Sequence, residues 1–266
     1  MSAEHKLYLK RLKRNAALKR AAQLILLVVL LGAWEAAVRL DLADPFIVSS
    51  PARVVRTVAS LYSSNDLFPH ILTTFLETVA GFVSGTAIGV LIAVLLWFCP
   101  FAESVLDPYL VVLNALPKIA LGPILIVWVG AGAEAIIVMA LLVSTVVTVM
   151  TVLAGFMETE PAKLKLMNTL GANRLQTFTK VVLPGSVPTL MSALKISVGM
   201  SWVGVIVGEY LVSKRGLGYL IVYGGQVFKL DLVMASIVIL CILAAIMYYA
   251  VAALEKVIDR RFGRSE

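Results

Sequence analysis

The chain has 266 residues, of which 60% are apolar and 15% are charged, and its mean hydropathy is +0.95. Soluble domains are about 45–50% apolar and about 25% charged, so this composition excludes a disordered chain and disfavours a water-soluble enzyme. The formal net charge of +7 would suggest nucleic-acid binding in a soluble protein, but the basic residues here flank apolar segments, which is typical of a membrane protein.

The N-terminus combines a basic tail, residues 1–20, with an apolar segment, residues 21–40. A signal peptide has a similar layout. The basic region is long, however, and the apolar run continues through Trp34 and Glu35 without a clear small-residue cleavage site. We therefore favour an uncleaved anchor. The polar stretch that follows contains residues 53–58, whose pattern predicts a short amphipathic helix at the membrane interface.

Six segments are long enough to cross a bilayer, because about 20 helical residues span about 30 Å of hydrocarbon. They are residues 21–40, 71–98, 102–129, 133–156, 187–211 and 231–254. The sequence therefore predicts an all-α integral membrane protein with one transmembrane domain, 21–254, an inner loop at 157–186 and a basic tail at 255–266.

The distribution of Lys and Arg predicts the orientation. With the N-terminus inside, the inner segments 1–20, 157–186 and 255–266 hold seven, four and four of these residues, whereas the outer segments hold six in total. Both termini are therefore expected in the cytoplasm.

Three glycines, Gly81, Gly85 and Gly89, are spaced four residues apart in the second span. This spacing forms one smooth stripe on a helix and predicts close packing against another helix, whose identity the sequence leaves open.

The third span contains Pro108, Pro117 and Pro123, together with Asn114 and Lys118. Interior prolines remove backbone hydrogen bonds, and irregular backbone at membrane depth must be covered by protein or by a water-filled cavity. A lysine that faced lipid at the bilayer centre would cost about 3 kcal/mol. Two interpretations stay open: this segment lines a pathway, or Lys118 snorkels or pairs with an acid for structural reasons.

The fifth span adds three further candidates for a pathway: Ser197, Ser201 and Trp202. Lys195 lies in the inner third of this span with no obvious acidic partner, and Glu209 lies near its outer end. We interpret Glu35, Glu77 and Glu134 in other spans as charges at interface level. The segment after Ser213 is apolar but contains several glycines, which predicts a short outer helix or a partial re-entry into the membrane.

The loop 157–186 predicts a pair of cytoplasmic helices. Pro161 suits a first helical turn, Leu164, Met167 and Leu170 repeat at spacing three, and Gly171 suits a helix end. A second amphipathic stretch, 175–182, is expected to stop at Pro184. Such helices must bury their apolar faces on their own chain, on the bilayer or on a partner.

The sequence lacks two common motifs, one for nucleotide binding and one for nucleophilic catalysis. It contains no G-x-x-x-x-G-K-[ST] and no G-x-S-x-G. His5 and His70 have no second His or Cys nearby, and Cys99 and Cys241 lie far apart, so we expect no metal site and no disulfide framework. Any ATP that drives this protein must be bound by another chain.

The loop resembles the signature of binding-protein-dependent ABC importer permeases, which runs Glu-Ala-Ala, three residues, Gly, nine residues, Ile, one residue, Leu-Pro. Here Lys165-Leu166-Met167 stands at the Glu-Ala-Ala position, and Gly171, Val181, Leu183 and Pro184 follow in register. Segments in other parts of the chain resemble the nitrate/sulfonate/taurine subgroup, namely Leu106-Asp107-Pro108, Ala115-Leu116-Pro117 with Pro123, Gly208-Glu209-Tyr210-Leu211, and Arg215-Gly216-Leu217-Gly218.

The resemblance implies the type I ABC importer permease fold in a bacterial-type cytoplasmic membrane. It implies a second permease chain forming a homodimer, two ATPase subunits that hold ATP and Mg, an extracytoplasmic binding protein and a small solute such as a sulfonate, taurine or nitrate. No nucleic acid is expected as a partner. Contact with the ATPase would involve Glu160, Pro161, Ala162, Leu164, Lys165, Leu166, Met167, Leu170, Gly171 and Ala172. Glu209 would serve an outer gate or touch the binding protein.

Two other classes of function were weighed. An ion-coupled secondary carrier would need an interior titratable pair at mid-depth, which the sequence does not suggest. An intramembrane enzyme would need a nucleophile with a base, or a metal site, and the sequence offers neither.

Overall fold

The computed structural model describes residues 3–261, and the side chains of residues 1–13, 16, 20 and 259–266 lie outside that description. Most side chains of the predicted basic tails therefore lie outside that description. Every described element is helical, which confirms the all-α fold class. The helices are α1 (Ala3–Arg39), α2 (Pro45–Val48), α3 (Pro51–Ser63), α4 (Leu67–Phe98), α5 (Pro100–Ala115), α6 (Gly122–Val129), α7 (Ala133–Met157), α8 (Pro161–Thr169), α9 (Arg174–Thr177), α10 (Leu183–Gly185), α11 (Val187–Val212), α12 (Leu217–Gln226) and α13 (Leu230–Arg261).

Five of these helices contain a stretch long and apolar enough to cross a bilayer: Ala17–Arg39 of α1, the whole of α4, α7 and α11, and Leu230–Ile258 of α13. A helix satisfies its backbone hydrogen bonds within itself, which is why apolar segments adopt it in lipid. A sixth crossing requires α5 and α6 together, and these two helices meet at an angle of 86°.

The break between α5 and α6 lies at Pro117. Leu116 before it is extended, with ψ 132°, because the proline ring disfavours helical geometry in the preceding residue. A 3-10 turn, Lys118–Leu121, then leads into α6, where Pro123 sits in the first turn and needs no intrahelical partner for its missing N–H. The predicted interruption is confirmed at Pro117, whereas Pro108 lies inside α5 without ending it.

The core of the bundle is α7, held between α4 and α11. The partner of the glycine stripe is α7: a Cβ at Gly81 would lie 2.6 Å from Ala140 Cβ, and one at Gly89 would lie 2.7 Å from Thr148 Cβ. From the other side, a Cβ at Gly204 of α11 would run into the backbone of Ala140. The helix axes can approach this closely only because the facing residues have no side chain.

One end of the bundle holds the helices that connect α1 to it. The Glu35 carboxylate of α1 accepts the N–H of Ala52 at 3.1 Å, in the first turn of α3. Arg53 of α3 pairs with Asp231 of α13 at 2.8 Å, and Ser49 donates to the same carboxylate at 2.7 Å. The predicted amphipathic helix at 53–58 is part of α3, and the predicted short outer helix is α12.

The second helical stretch of the inner loop differs from the prediction. Helix does not stop at Pro184: α9 continues through a π turn, Phe178–Val182, into α10. The N–H of Leu183 bonds to the Phe178 carbonyl five residues back. This wider turn accommodates a proline that lacks an N–H and would crowd the carbonyl four residues back in a regular helix.

Candidate functional site

Helix α8 is a short, solvent-exposed helix with defined ends. It starts at Pro161 after Glu160, and Lys163 Nζ lies 2.9 Å from the Glu160 carboxylate. This hydrogen bond holds the pKa of Glu160 below its ordinary value. The helix ends in a Schellman motif, since Ala172 N–H bonds to the Met167 carbonyl and Gly171 N–H to that of Asn168, each at 3.0 Å. Gly171 has φ +71°, a conformation that glycine adopts most readily.

The side chains of α8 leave an apolar surface uncovered. No residue of this helix is buried, and Leu166 and Leu170 are 58% and 71% exposed. Leu164 and Met167 are half-buried, and Leu164 packs against a buried apolar cluster that includes Phe156 of α7. The predicted single apolar face is therefore divided, because Leu164 turns toward its own chain while Leu166 and Leu170 point away. Ala162, Lys165 and Gly171 are exposed, and Ala172 is half-buried.

An aromatic cluster attaches the loop to the core. It consists of Trp97 and Phe98 from α4, Phe156 from α7 and Phe178 from the π turn, with neighbouring ring centroids 5.0–5.3 Å apart. The Arg174 guanidinium donates to the Phe98 carbonyl at the C-terminal end of α4, where a cation is favourable. We missed this cluster in the sequence, although aromatic residues recur where the spans meet the loop.

The broken segment carries the first two predicted pathway residues. Lys118 Nζ donates to the Asn114 carbonyl at 3.0 Å, so the lysine supports the end of α5 where helical hydrogen bonding stops. Asn114 is exposed and Lys118 is half-buried. The residues around the break, Leu116, Pro117 and Ile119, are also exposed on this chain. Whether Asn114 and Lys118 line a pathway stays a prediction.

The other three predicted pathway residues are buried in this single chain, and their role in a pathway stays a prediction. Ser197, Ser201 and Trp202 are 1%, 0% and 6% exposed, inside the bundle of this single chain. Ser197 bonds with Thr86 of α4 at 3.0 Å and accepts from Thr148 of α7 at 3.3 Å. Ser197 therefore joins three helices through its hydroxyl group, whereas Ser201 Oγ and Trp202 Nε1 are buried without a hydrogen-bond partner among the described residues.

Glu209 is 1% exposed and holds the start of α12. Its carboxylate accepts the N–H of Gly218, while His70 Nδ1 accepts that of Gly216 at 2.9 Å and Thr74 Oγ1 accepts that of Leu217 at 2.7 Å. We call His70, Thr74 and Glu209 the α12 anchor. Glycine is required at 216 and 218, because a Cβ at either position would meet the Glu209 carboxylate.

This burial changes the interpretation of two acidic residues. Glu77 is 7% exposed and its carboxyl lies beside that of Glu209, so Glu77 is buried within the chain, and its place at interface level stays a prediction. Glu209 itself is not available for direct contact with another protein in this conformation; its role in an outer gate stays a prediction. The spacing of His70, Thr74 and Glu77 on one face of α4 was the sequence signal for this arrangement.

Lys195 also has a partner that the sequence did not reveal. Its ammonium pairs with the Glu255 carboxylate of α13 at 2.5 Å, and both side chains are largely shielded from solvent. The two residues are 60 positions apart in the chain, so only the packing of α13 beside α11 brings them together.

Comparisons with known proteins identify the family. Residues 85–264 match the family described as "Binding-protein-dependent transport system inner membrane component". The taurine transport system permease protein TauC of Escherichia coli is 25% identical over 258 residues, covering 94% of each chain. A probable ABC transporter permease of Haemophilus influenzae is 31% identical, covering 86% of this chain and 92% of the relative. A putative aliphatic sulfonates transport permease protein, SsuC of Bacillus subtilis, is 26% identical, and the match covers 88% of this chain and 84% of the relative.

The fold agrees with this assignment. A solved bacterial ABC transporter involved in the import of the acidic polysaccharide alginate superposes with a TM-score of 0.62 at 16% identity, covering 94% of this chain and 98% of that chain. The fold is therefore that of type I ABC importer permeases. The family match over more than half of the chain shows that this multi-pass protein belongs to the inner-membrane components of binding-protein-dependent ABC importers, as a transport subunit and not an enzyme.

Proposed function

We propose that α8 is the coupling helix through which a separate ATPase subunit, holding ATP and Mg, drives this permease. The observation that carries the proposal is the exposure of Leu166 and Leu170 on a helix with fixed ends. A partner groove that covers them would gain about 1.5–3 kcal/mol for each leucine fully buried. The aromatic cluster beneath the loop supports the same role, because it ties the loop to α4 and α7.

The functional unit that we propose is a homodimer with the pathway between its two chains. The broken segment supports this: Leu116, Pro117 and Ile119 are exposed on the single chain, yet irregular backbone at membrane depth needs protein or a water-filled cavity over it. A second copy of the chain facing this segment would supply the covering protein and enclose a water-filled cavity between the two chains. Asn114 and Lys118 would lie beside that cavity.

The substrate that we propose is a small anion such as a sulfonate, taurine or nitrate, delivered by an extracytoplasmic binding protein. Two of the relatives are named for taurine and for aliphatic sulfonates, and both compounds carry a sulfonate group. The ammonium group of Lys118 at the broken segment would favour an anion over a cation.

The proposal is tested by reconstitution. The permease, its ATPase and its binding protein are placed in proteoliposomes after the ligand of the binding protein has been identified, and uptake of that ligand is measured with and without ATP. ATP-dependent uptake that requires the binding protein is expected. Uptake by the permease alone under an ion gradient would instead favour a secondary carrier.

A pair of variants tests the coupling helix. Leu166→Asp should abolish co-purification of the ATPase without changing thermal unfolding, because it places a charge on the docking surface and disturbs no core contact. Leu175→Asp is the control, since Leu175 is 61% exposed but lies beyond the Gly171 turn. Equal ATPase recovery from both variants would contradict docking through α8.

A further inference from the structure

An apolar groove of about 700 Å³ opens on the surface of the bundle, between α4 and α13. Its walls are Phe68, Ile71, Leu72 and Phe75 from α4, and Leu243 and Ile246 from α13. The α4 residues extend over about 10 Å of helix, at 1.5 Å per residue. Phe68, Leu72 and Ile246 are each more than half exposed, so nothing in the described part of the chain covers the groove.

The groove also contains one positively charged side chain. Arg215, in the turn between α11 and α12, also lines the groove. Its guanidinium has no ion pair or side-chain hydrogen bond within residues 3–261. The other polar side chain of the groove, Thr73, already donates to the Pro69 carbonyl at 2.9 Å. The groove therefore offers apolar surface along its length and a single free donor group at one end.

We propose that this groove binds one phospholipid, with its phosphate on Arg215 and an acyl chain between α4 and α13. A guanidinium binds phosphate oxygens through two parallel hydrogen bonds. The turn that carries Arg215 is fixed by the α12 anchor, because Gly216 is bonded to His70. The arginine is thus held beside the outer end of α4, where a head group would lie above the buried acyl chain. This inference does not depend on the proposed substrate or on the ATPase.

The experiment is native mass spectrometry of the purified full-length chain in detergent, titrated with palmitoyl-oleoyl phosphatidylglycerol. Arg215→Gln should weaken retention of one lipid per chain by about tenfold, the loss expected for a charge-assisted hydrogen bond. Lys214→Gln removes the same charge from the adjacent residue, which does not line the groove, and should leave retention unchanged. Equal losses in both variants would overturn the site in favour of nonspecific attraction.

A second pair of variants tests the apolar part of the groove. Leu72→Trp should fill the groove and lower retention of the lipid. Leu76→Trp adds the same side chain one turn further along α4, at a position that is 56% exposed and outside the groove, and should not. If Leu72→Trp disrupts dimers and leaves lipid retention unchanged, the groove is covered by a second copy of the chain and the lipid site is wrong. Thermal unfolding and elution profiles verify that each variant folds.

Discussion

Ala140 has no exposed surface because two helices approach it from opposite sides. Gly81 of α4 faces its side chain, and Gly204 of α11 faces its backbone. Backbone cannot move aside as a flexible side chain can, so the contact with Gly204 tolerates the least change. The absence of a side chain at each of these two glycines therefore determines how closely α4 and α11 approach α7.

The substitution Gly204→Ala tests this contact. The added Cβ would strike the Ala140 backbone, and overpacking of this kind destabilises by about 1–3 kcal/mol. Gly199→Ala on the same helix is the control, because a Cβ there meets nothing within 4 Å and alanine favours a helix by up to about 1 kcal/mol. Thermal unfolding in detergent should therefore shift in opposite directions. A shift in the same direction for both would refute the packing argument.

Glu209 allows a second test at the residue scale. Glu209→Ala leaves the buried N–H of Gly218 without its acceptor, and an unsatisfied buried group costs about 1–3 kcal/mol. The control is Glu134→Ala, at an exposed position in the first turn of α7. The expected decrease in the free energy of unfolding there is below about 1 kcal/mol. The midpoint of thermal unfolding compares the two, and similar shifts would show that the α12 anchor contributes little.

At the scale of elements, the inner loop is defined by where its helices end. The Schellman motif ends α8 at Gly171, and the π turn at Phe178 carries the chain past Pro184 into α11. Between these points, Arg174 and Phe178 contact α4 and α7. The position of α8 relative to the core therefore depends on two irregular turns and on the contact that Leu164 makes with the core.

We predict that Gly171→Val weakens association with the ATPase. Valine at φ +71° is strained by at least about 1–2 kcal/mol, so α8 would end differently and change its orientation. Gly185→Val serves as the control, because Gly185 has ordinary helical geometry and open space around it. Co-purification of the ATPase should fall only in the Gly171 variant. Full recovery from that variant would mean that the turn does not set the orientation of α8.

At the scale of the whole molecule, labelling of introduced cysteines tests the membrane orientation. Asn65, before α4, should face outward, and Asn168, on α8, should face the cytoplasm, as the distribution of basic residues predicts. In a Cys99→Ser, Cys241→Ser background, Asn65→Cys should react with a membrane-impermeant maleimide in intact cells, whereas Asn168→Cys should react only after permeabilisation. The reverse pattern would invert the proposed topology.

Composition and periodicity determined that this is an all-helical membrane protein, with a proline-broken segment and a loop helix that ends at Gly171. These features are local, since they depend on hydropathy over about 20 residues and on the backbone preferences of proline and glycine. They could be predicted from one sequence for that reason. The glycine stripe predicted that a tight contact exists, but it could not name α7 as the partner.

Tertiary structure alone decided which polar residues meet. Lys195 finds Glu255, Glu77 lies beside Glu209, and Ser197 is enclosed by Thr86 and Thr148. Each pair joins residues from different helices, and a helix can be rotated and shifted against its neighbours without any change in its own periodicity. Packing between helices sets those rotations, so it determined that these residues support the bundle from within while Asn114 and Lys118 stay at the surface of the chain.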